Sequence, residues 1–289
     1  MTAIAARIEV TRPGMRRHFA IAQGFEADVE AALARRERME ANGRPQLSPG
    51  CVWLDEARPQ DLYAIDRGVA LIAIRGVLFD ELEFHGASWA TGYNAIRLAA
   101  ALAVNDPDVK ALALDIDSGG GMVAGCFELC DWLRAAGEQK PLTAIVKFWA
   151  ASAAYAILSA CKEATAPQTG GVGSIGVVMM HLDISQWLAE EGLKVTLIQA
   201  GKHKTDGNMF EALPAEVKAE WQETCEAYRT MFADTVAAGR PGLTAAAALA
   251  TEARFYEGPI QMQAAHQLGL IDALMDPADA LDQLIAAIA

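Results

Sequence analysis

Cysteine is scarce in this sequence, with five residues among 289, and no two of them form a Cys-x-x-Cys pair. An odd number without metal-ligand spacing excludes a disulfide framework and a zinc site as organising features. Cys126 and Cys130 could share one helix face, but buried thiols account for that spacing. An apolar core must therefore stabilise the fold, and hydrophobic residues make up 53% of the chain.

Long apolar runs and positive charge are also lacking. No uninterrupted apolar stretch reaches the roughly 18–20 residues of a membrane helix, since charged residues such as Arg75 interrupt each candidate. The N-terminus carries scattered arginines without the apolar core of a signal peptide. The formal net charge is −13, whereas phosphate binding needs a basic footprint. We therefore expect a cytoplasmic, soluble protein without a membrane anchor or a nucleic-acid partner.

The chain divides into three predicted segments. Residues 1–66 form an N-terminal extension, expected to be partly mobile, with a helix over Glu26 to Ala41 and a loop at 42–45. Residues 67–276 form the regular domain, in which buried strands alternate with helices. Residues 277–289 form a helical tail. The alternation predicts an α/β fold with a largely parallel sheet.

Three predicted strands each end in a loop that could carry chemistry. The strand 109–116 ends in Gly119-Gly120-Gly121, the strand 142–148 ends at Ser152, and the strand 194–199 ends in the polar loop 201–208. Ligands and catalytic groups gather at the carboxyl ends of strands in open α/β sheets. The three loops are therefore expected to face one cleft.

Ser152 stands between an apolar strand and a small-residue helix, where a nucleophile would be exposed beside backbone N–H groups. The alternative is that Ser152 is a helix N-cap, as most serines before helices are. The glycine triplet lacks the endings of a P-loop or dinucleotide site, which disfavours nucleotide binding. Its other use is an oxyanion hole, where glycine lets an N–H approach an acyl oxygen.

A serine nucleophile needs a general base, and the residues leave several candidates open. His203 and His181 could act with a carboxylate, whereas Lys204 and Lys202 could act as neutral amines if burial lowered the lysine pKa. Two solvated loop lysines are the alternative.

Four ordered segments together resemble the signal peptide peptidase (protease IV) family of serine proteases. They are Asp117 to Gly125, the Ser152 turn, Thr169 to Val177 with Gly173-Ser174-Ile175-Gly176, and Gly201-Lys202-His203-Lys204. Thr91-Gly92-Tyr93-Asn94 and the run 202–208 are similar to the head maturation (prohead) proteases of lambda-like phages in particular. The resemblance spans about residues 68 to 275.

The resemblance implies a fold of the Clp-protease and crotonase kind, a spiral of ββα units, with a Ser–Lys dyad. By position, Ser152 is the nucleophile, Lys204 is the base and Ser174 orients the lysine. Gly120 and Ala153 supply the oxyanion N–H groups. The family's usual proline before the paired glycines is Gly119 in this chain, and alanines flank Ser152 where glycine is frequent. No cofactor or metal is implied.

The resemblance further implies an endopeptidase that cleaves scaffold, capsid and portal proteins, and itself, inside the assembling procapsid in the host cytoplasm. A homo-oligomer is expected on the same ground. The alternatives are a cytoplasmic bacterial signal-peptide-peptidase-like protease, a crotonase-type acyl-CoA enzyme and an inactive scaffold module.

Overall fold

The computed structural model describes residues 19–21, 25–41 and 47–289. The strands are β1 Phe19–Ile21, β2 Val52–Trp53, β3 Ala64–Asp66, β4 Val69–Phe79, β5 Phe84–His85, β6 Ala90–Gly92, β7 Ala111–Met122, β8 Leu142–Ala151, β9 Glu163–Ala166, β10 Gly171–Gly173, β11 Phe255–Glu257 and β12 Ala273–Leu274. The helices are α1 Glu26–Ala41, α2 Pro59–Leu62, α3 Tyr93–Asn105, α4 Cys126–Gly137, α5 Ala153–Ser159, α6 Ser185–Glu190, α7 Ala215–Gly239, α8 Ala245–Ala250, α9 Gly258–Gln267 and α10 Pro277–Ile288.

The main sheet has the strand order β11-β10-β8-β7-β4-β3. Strands β4, β7, β8 and β10 run parallel to one another. At the two edges of the sheet, β3 pairs antiparallel with β4 and β11 pairs antiparallel with β10. β9 pairs with β8, β6 pairs with β4, and β1 pairs with β7. The prediction of an α/β fold with a largely parallel sheet is confirmed.

Alternating side chains of the central strands cover both faces of the sheet. Ile72, Ile74, Leu114 and Ile116 are fully buried in one cluster with helices α3, α4 and α5. Ala111 and Ala113 of β7 belong to a second cluster, which α10 covers. Burial on both faces explains the near-continuous apolar runs of these strands.

Several predicted elements are confirmed. The helix predicted over Glu26 to Ala41 is α1 with those bounds, and the strand ending before Ser152 is β8. Cys126 and Cys130 are free, buried thiols on α4. The loop predicted at 42–45 and the start of the extension lie outside the described residues. The three-segment division stays a prediction.

The prediction that the glycine triplet forms a loop is wrong, because the structure shows these residues as part of a strand. Strand β7 continues through Gly119, Gly120 and Gly121 to Met122, and the following helix begins only at Cys126. Gly120 pairs with Val77 of β4, and Gly121 pairs with Leu78. A Cβ on Gly121 would lie 2.0 Å from the carbonyl oxygen of Leu78. Glycine therefore permits a close strand approach here, in spite of its low strand propensity.

The strand predicted at 194–199 is wrong, because this stretch has no regular structure. No strand of the described residues pairs with it, and Ile198 is 96% exposed. β-Propensity alone does not form a strand, since strand stability comes from cross-strand and burial contacts.

Within the described residues, no helix combines the length and the apolar character that a membrane crossing requires.

The C-terminal end of α7 packs against the C-terminal end of α5, the helix that follows Ser152. A Cβ on Gly239 would lie 1.8 Å from the backbone oxygen of Ser159. Gly137 ends α4 in the same way, but a Cβ there would meet its nearest neighbour at an ordinary 3.5 Å.

We therefore expect Gly239→Ala to lower the free energy of unfolding by about 1–3 kcal/mol, because the added methyl group overpacks a backbone contact. Gly137→Ala is the matched control and should leave stability unchanged or slightly raised. Urea unfolding of both variants measures the difference. Equal urea midpoints for Gly239→Ala and Gly137→Ala would contradict the close approach of α5 and α7.

Candidate active site

Ser152 occupies a strained turn at the carboxyl end of β8. Its φ of 53° and ψ of −120° lie outside the regions that non-glycine residues favour. The Ser152 N–H donates to the carbonyl of Gly173 at 2.7 Å, and the Ser152 carbonyl accepts from the N–H of Ala156 at 2.9 Å. The turn is thus fixed both by the sheet and by the first turn of α5.

The hydroxyl of Ser152 makes no side-chain capping bond to α5, although the residue stands at the N-cap position. The Oγ instead faces the carbonyl of Gly176 at 3.4 Å. The expected exposure of Ser152 is wrong: the residue is fully buried, because the chain beyond Ser174 brings Gly176 against it.

Ser174 lies directly beside Ser152. Strands β8 and β10 run parallel and end with Ala151 opposite Gly173. The residue that follows each strand is a serine, Ser152 or Ser174. Ser174 also has a positive φ, of 58°, is 5% exposed, and donates its N–H to the carbonyl of Arg254 at 2.8 Å. The structure therefore places a buried serine with a positive φ directly after each of two paired strands.

The predicted oxyanion donors lie on the two elements that flank this turn. Gly120 has a φ of 105° on β7, and Ala153 is the first residue of α5, where an N–H has no intrahelical acceptor. The Gly120 N–H donates to the Oγ of Ser118 at 3.1 Å, and that hydroxyl donates to the carbonyl of Gly76 at 2.6 Å. An acyl oxygen would have to replace the Ser118 hydroxyl as the acceptor of the Gly120 N–H.

Ser118 is a residue that the sequence reasoning missed. It is buried, it pairs with Ala150 of β8, and its hydroxyl joins the Gly120 N–H to β4. The only signal in the sequence was a serine directly before the glycine triplet.

Lys204 is not brought to Ser152. It lies in the segment 177–213, which we call the arm, and its side chain is exposed to solvent. Its backbone N–H donates to the carbonyl of Gly201 at 3.2 Å. Among the described residues, no hydrogen bond or ion pair joins the Lys204 amine to Ser152.

The other candidate bases are engaged within the arm or with α7. His203 contacts Asp206 at 2.8 Å, His181 contacts the Asn208 carbonyl at 2.8 Å, and Lys202 lies 3.7 Å from Glu216. The arm packs on α7 through Trp221, whose ring meets Gly207 and His181. The structure brings the glycine strand and the Ser152 turn together in one sheet, and Lys204 and the other candidate bases lie on the arm, apart from that sheet.

A cavity of about 300 Å³ opens beside the glycine strand. Asp117, Gly119, Phe25, Arg35 and Trp149 are among its lining residues. Partial burial raises the pKa of Asp117 above its usual value, against the lowering effect of Arg75. The described part of the chain holds no group of three His, Cys, Asp or Glu side chains that could bind a metal ion.

Comparison with known proteins decides the family. The sequence profile of Peptidase family S49 matches residues 134–287, just over half of the chain. The chain belongs to Peptidase family S49. The matched region begins within α4 and includes Ser152, Ser174 and the arm, so all three belong to the family's domain.

Two curated relatives are phage proteins. The chain is 39% identical to the head-tail preconnector protein GP5 of Enterobacteria phage P21, over 92% of this chain and 50% of that protein. It is 36% identical to the capsid assembly protease C of Escherichia phage lambda, over 78% of this chain and 51% of that protein. The chain thus spans about half the length of these relatives.

Among solved structures, an enoyl-CoA hydratase from Shewanella pealeana aligns over 78% of this chain and 72% of that chain, with 14% identity and a TM-score of 0.46.

If Ser152 is the nucleophile, a fluorophosphonate probe should label the wild-type protein in its active, assembled form and should not label Ser152→Ala. The matched control is Ser159→Ala, which removes another buried hydroxyl of the same helix, one that only donates to the Ala156 carbonyl. Mass spectrometry of the labelled peptides reads the result. A labelled Ser152→Ala protein would contradict the assignment.

Proposed function

We propose that this S49 peptidase is a serine endopeptidase with a Ser–Lys dyad that acts in phage head maturation. Ser152 is the nucleophile, Lys204 the general base and Ser174 the residue that orients the lysine amine. Gly120 and Ala153 supply the oxyanion N–H groups. The observation that carries the proposal is the strained, buried turn at Ser152, flanked by the Ser174 hydroxyl and by the glycine strand.

The reaction follows from these positions. The neutral Lys204 amine takes the Ser152 proton as Oγ attacks the peptide carbonyl, and the developing oxyanion accepts from Gly120 and Ala153. The protonated amine then gives its proton to the leaving nitrogen, which breaks the peptide bond and leaves an acyl-enzyme. Water repeats the cycle on the ester and frees Ser152.

This chemistry requires the arm to leave its solvent-exposed position. The arm exposes a set of apolar side chains at 41% or more, namely Val178, Met180, Leu182, Leu193, Val195 and Ile198. Several exposed apolar side chains in one segment are consistent with a surface that another chain covers. We infer that the arm docks in a homo-oligomer and there brings Lys204 to Ser152.

The substrate class is inferred from the relatives. One carries the name capsid assembly protease and the other the name head-tail preconnector protein. We therefore propose scaffold, capsid and portal proteins, with the chain itself, as substrates inside the procapsid.

The base assignment is tested by co-expressing variants with the phage's capsid, scaffold and portal proteins and mapping new fragments by mass spectrometry. Lys204→Ala should abolish processing, because Ser152 then has no base. Lys202→Ala and His203→Ala are the matched controls from the same loop and should keep substantial activity. An inactive His203→Ala protein alongside an active Lys204→Ala protein would overturn the assignment.

The docking of the arm is tested by placing charge on it. Met180→Asp and Ile198→Asp should shift the protein toward the 30.8 kDa monomer and lower peptide cleavage together, because a buried carboxylate disfavours the assembly. Ile260→Asp is the control, since Ile260 is 85% exposed on α9 and outside the arm. Light scattering after size-exclusion chromatography measures the mass. A wild-type monomer with full activity would refute the docking.

A further inference from the structure

The N-terminal part of the chain lies across the glycine strand of the candidate site. We call residues 19–21 and 25–41 the strap. Strand β1 pairs antiparallel with β7, with Phe19 opposite Met122, Ala20 opposite Gly121 and Ile21 opposite Gly120. The strap thus forms backbone pairs with the residue that carries the predicted oxyanion N–H.

The register shows which edge of β7 the strap occupies. β4 takes one edge, since Val77 lies opposite Gly120. β8 takes the other edge only as far as the pair Ser118 and Ala150. Continued by two residues, that register would place Ser152 opposite Gly120, but the chain turns into α5 at Ser152. Beyond this point β8 no longer pairs with β7, and Ile21 of β1 lies opposite Gly120 instead.

Side chains of the strap hold it over the same strand. The ring of Phe25 packs on Gly119 so closely that a Cβ there would lie 2.1 Å from the Phe25 Cδ1. Phe25 also packs edge-on against Trp149 of β8, with ring centroids 5.0 Å apart. Any residue other than glycine at position 119 would displace this ring.

Helix α1 anchors the rest of the strap. Val29 and Ala32 are buried in a cluster with Phe79 and Met122, and Arg36 forms an ion pair with Asp80 at 3.2 Å. The anchor therefore fixes the strap on the end of β4, next to the cavity beside Gly119.

We propose that the strap is an intramolecular competitor, which occupies the edge of β7 at Gly120–Met122 where an extended substrate strand would pair. Extended peptides commonly bind by adding a strand to a free sheet edge, through backbone hydrogen bonds. A substrate would run antiparallel to β7, as β1 does, and would lie next to Ser152. The proposal rests on the proposed peptidase function, which gives this edge its substrate.

A disulfide can lock the strap in place. Phe19 and Met122 are directly opposite, at the 4.5–5.5 Å or so between Cα atoms of antiparallel partners, which suits a disulfide. The variant Phe19→Cys with Met122→Cys is compared oxidised and reduced, with each single variant as a control for the native thiols. Binding is measured in a Ser152→Ala background, by fluorescence anisotropy of a labelled synthetic peptide of residues 15–25. Cleavage of unlabelled protein substrate is measured with Ser152 intact.

The oxidised double variant should bind the peptide at least about tenfold more weakly than the reduced form, and cleavage should fall with it. Equal binding in both redox forms, or no binding in either, would overturn the proposal. Binding that responds to the lock without any cleavage would support the acceptor edge and count against the peptidase function alone.

Release of the strap gives the converse result. Phe25→Ala should raise the apparent affinity for the same peptide by about tenfold, because loss of the aromatic contact with Trp149 populates the open edge. The matched control is Phe148→Ala, which removes an exposed ring from β8 outside the strap and should leave binding unchanged. An unchanged affinity in Phe25→Ala would refute the competition.

Discussion

The hydrogen bond from the Ser152 N–H to the Gly173 carbonyl is the contact on which the candidate site depends. It forms directly beyond the last pair of β8 and β10, and it holds Ser152 at a positive φ. Because both strands end together, Ser152 and Ser174 follow as neighbours. The sheet, which is covered on both faces, supplies the rigidity that a strained turn needs to persist.

The described chain has a closed site. Ser152 is fully buried under Gly176, the Gly120 N–H is taken by Ser118, and β1 covers the free edge of β7. The one lysine assigned as base lies in solvent on the arm. A peptidase in this conformation would be inactive until the arm docks and the strap leaves.

Much of the fold follows from local patterns. Buried strands and amphipathic helices such as α1 and α3 are readable because their side chains repeat with the period of the element. The strand through Gly119 to Gly121 was missed, since glycine gives no local strand signal and the pairing depends on Leu78 and on β1 far away in the chain. The strand predicted at 194–199 is wrong for the opposite reason. The stretch has strand propensity, but no other strand of the described residues pairs with it.

For the site, the roles assigned to individual residues stay predictions, and the structure shows only where those residues lie. Gly120 lies on β7, and Ser152 and Ser174 follow β8 and β10, which are neighbours in a parallel sheet of the kind that the β-α alternation implies. The position of Lys204 could not be predicted, because it depends on how an irregular arm packs. Gly119 stands where the resemblance leads one to expect a proline, and the ring of Phe25 packs against it so closely that only glycine fits there.

The central claim is that Ser152 works with Lys204 against the glycine strand, and the structure of a covalent peptidyl phosphonate adduct of the assembled protein tests it most directly. The account predicts a phosphorus bond to the Ser152 Oγ, with the Lys204 Nζ within about 3 Å of that oxygen and the phosphonyl oxygen on the N–H groups of Gly120 and Ala153. An adduct on Ser152 with Lys204 still in solvent, or an adduct on another residue, would contradict it.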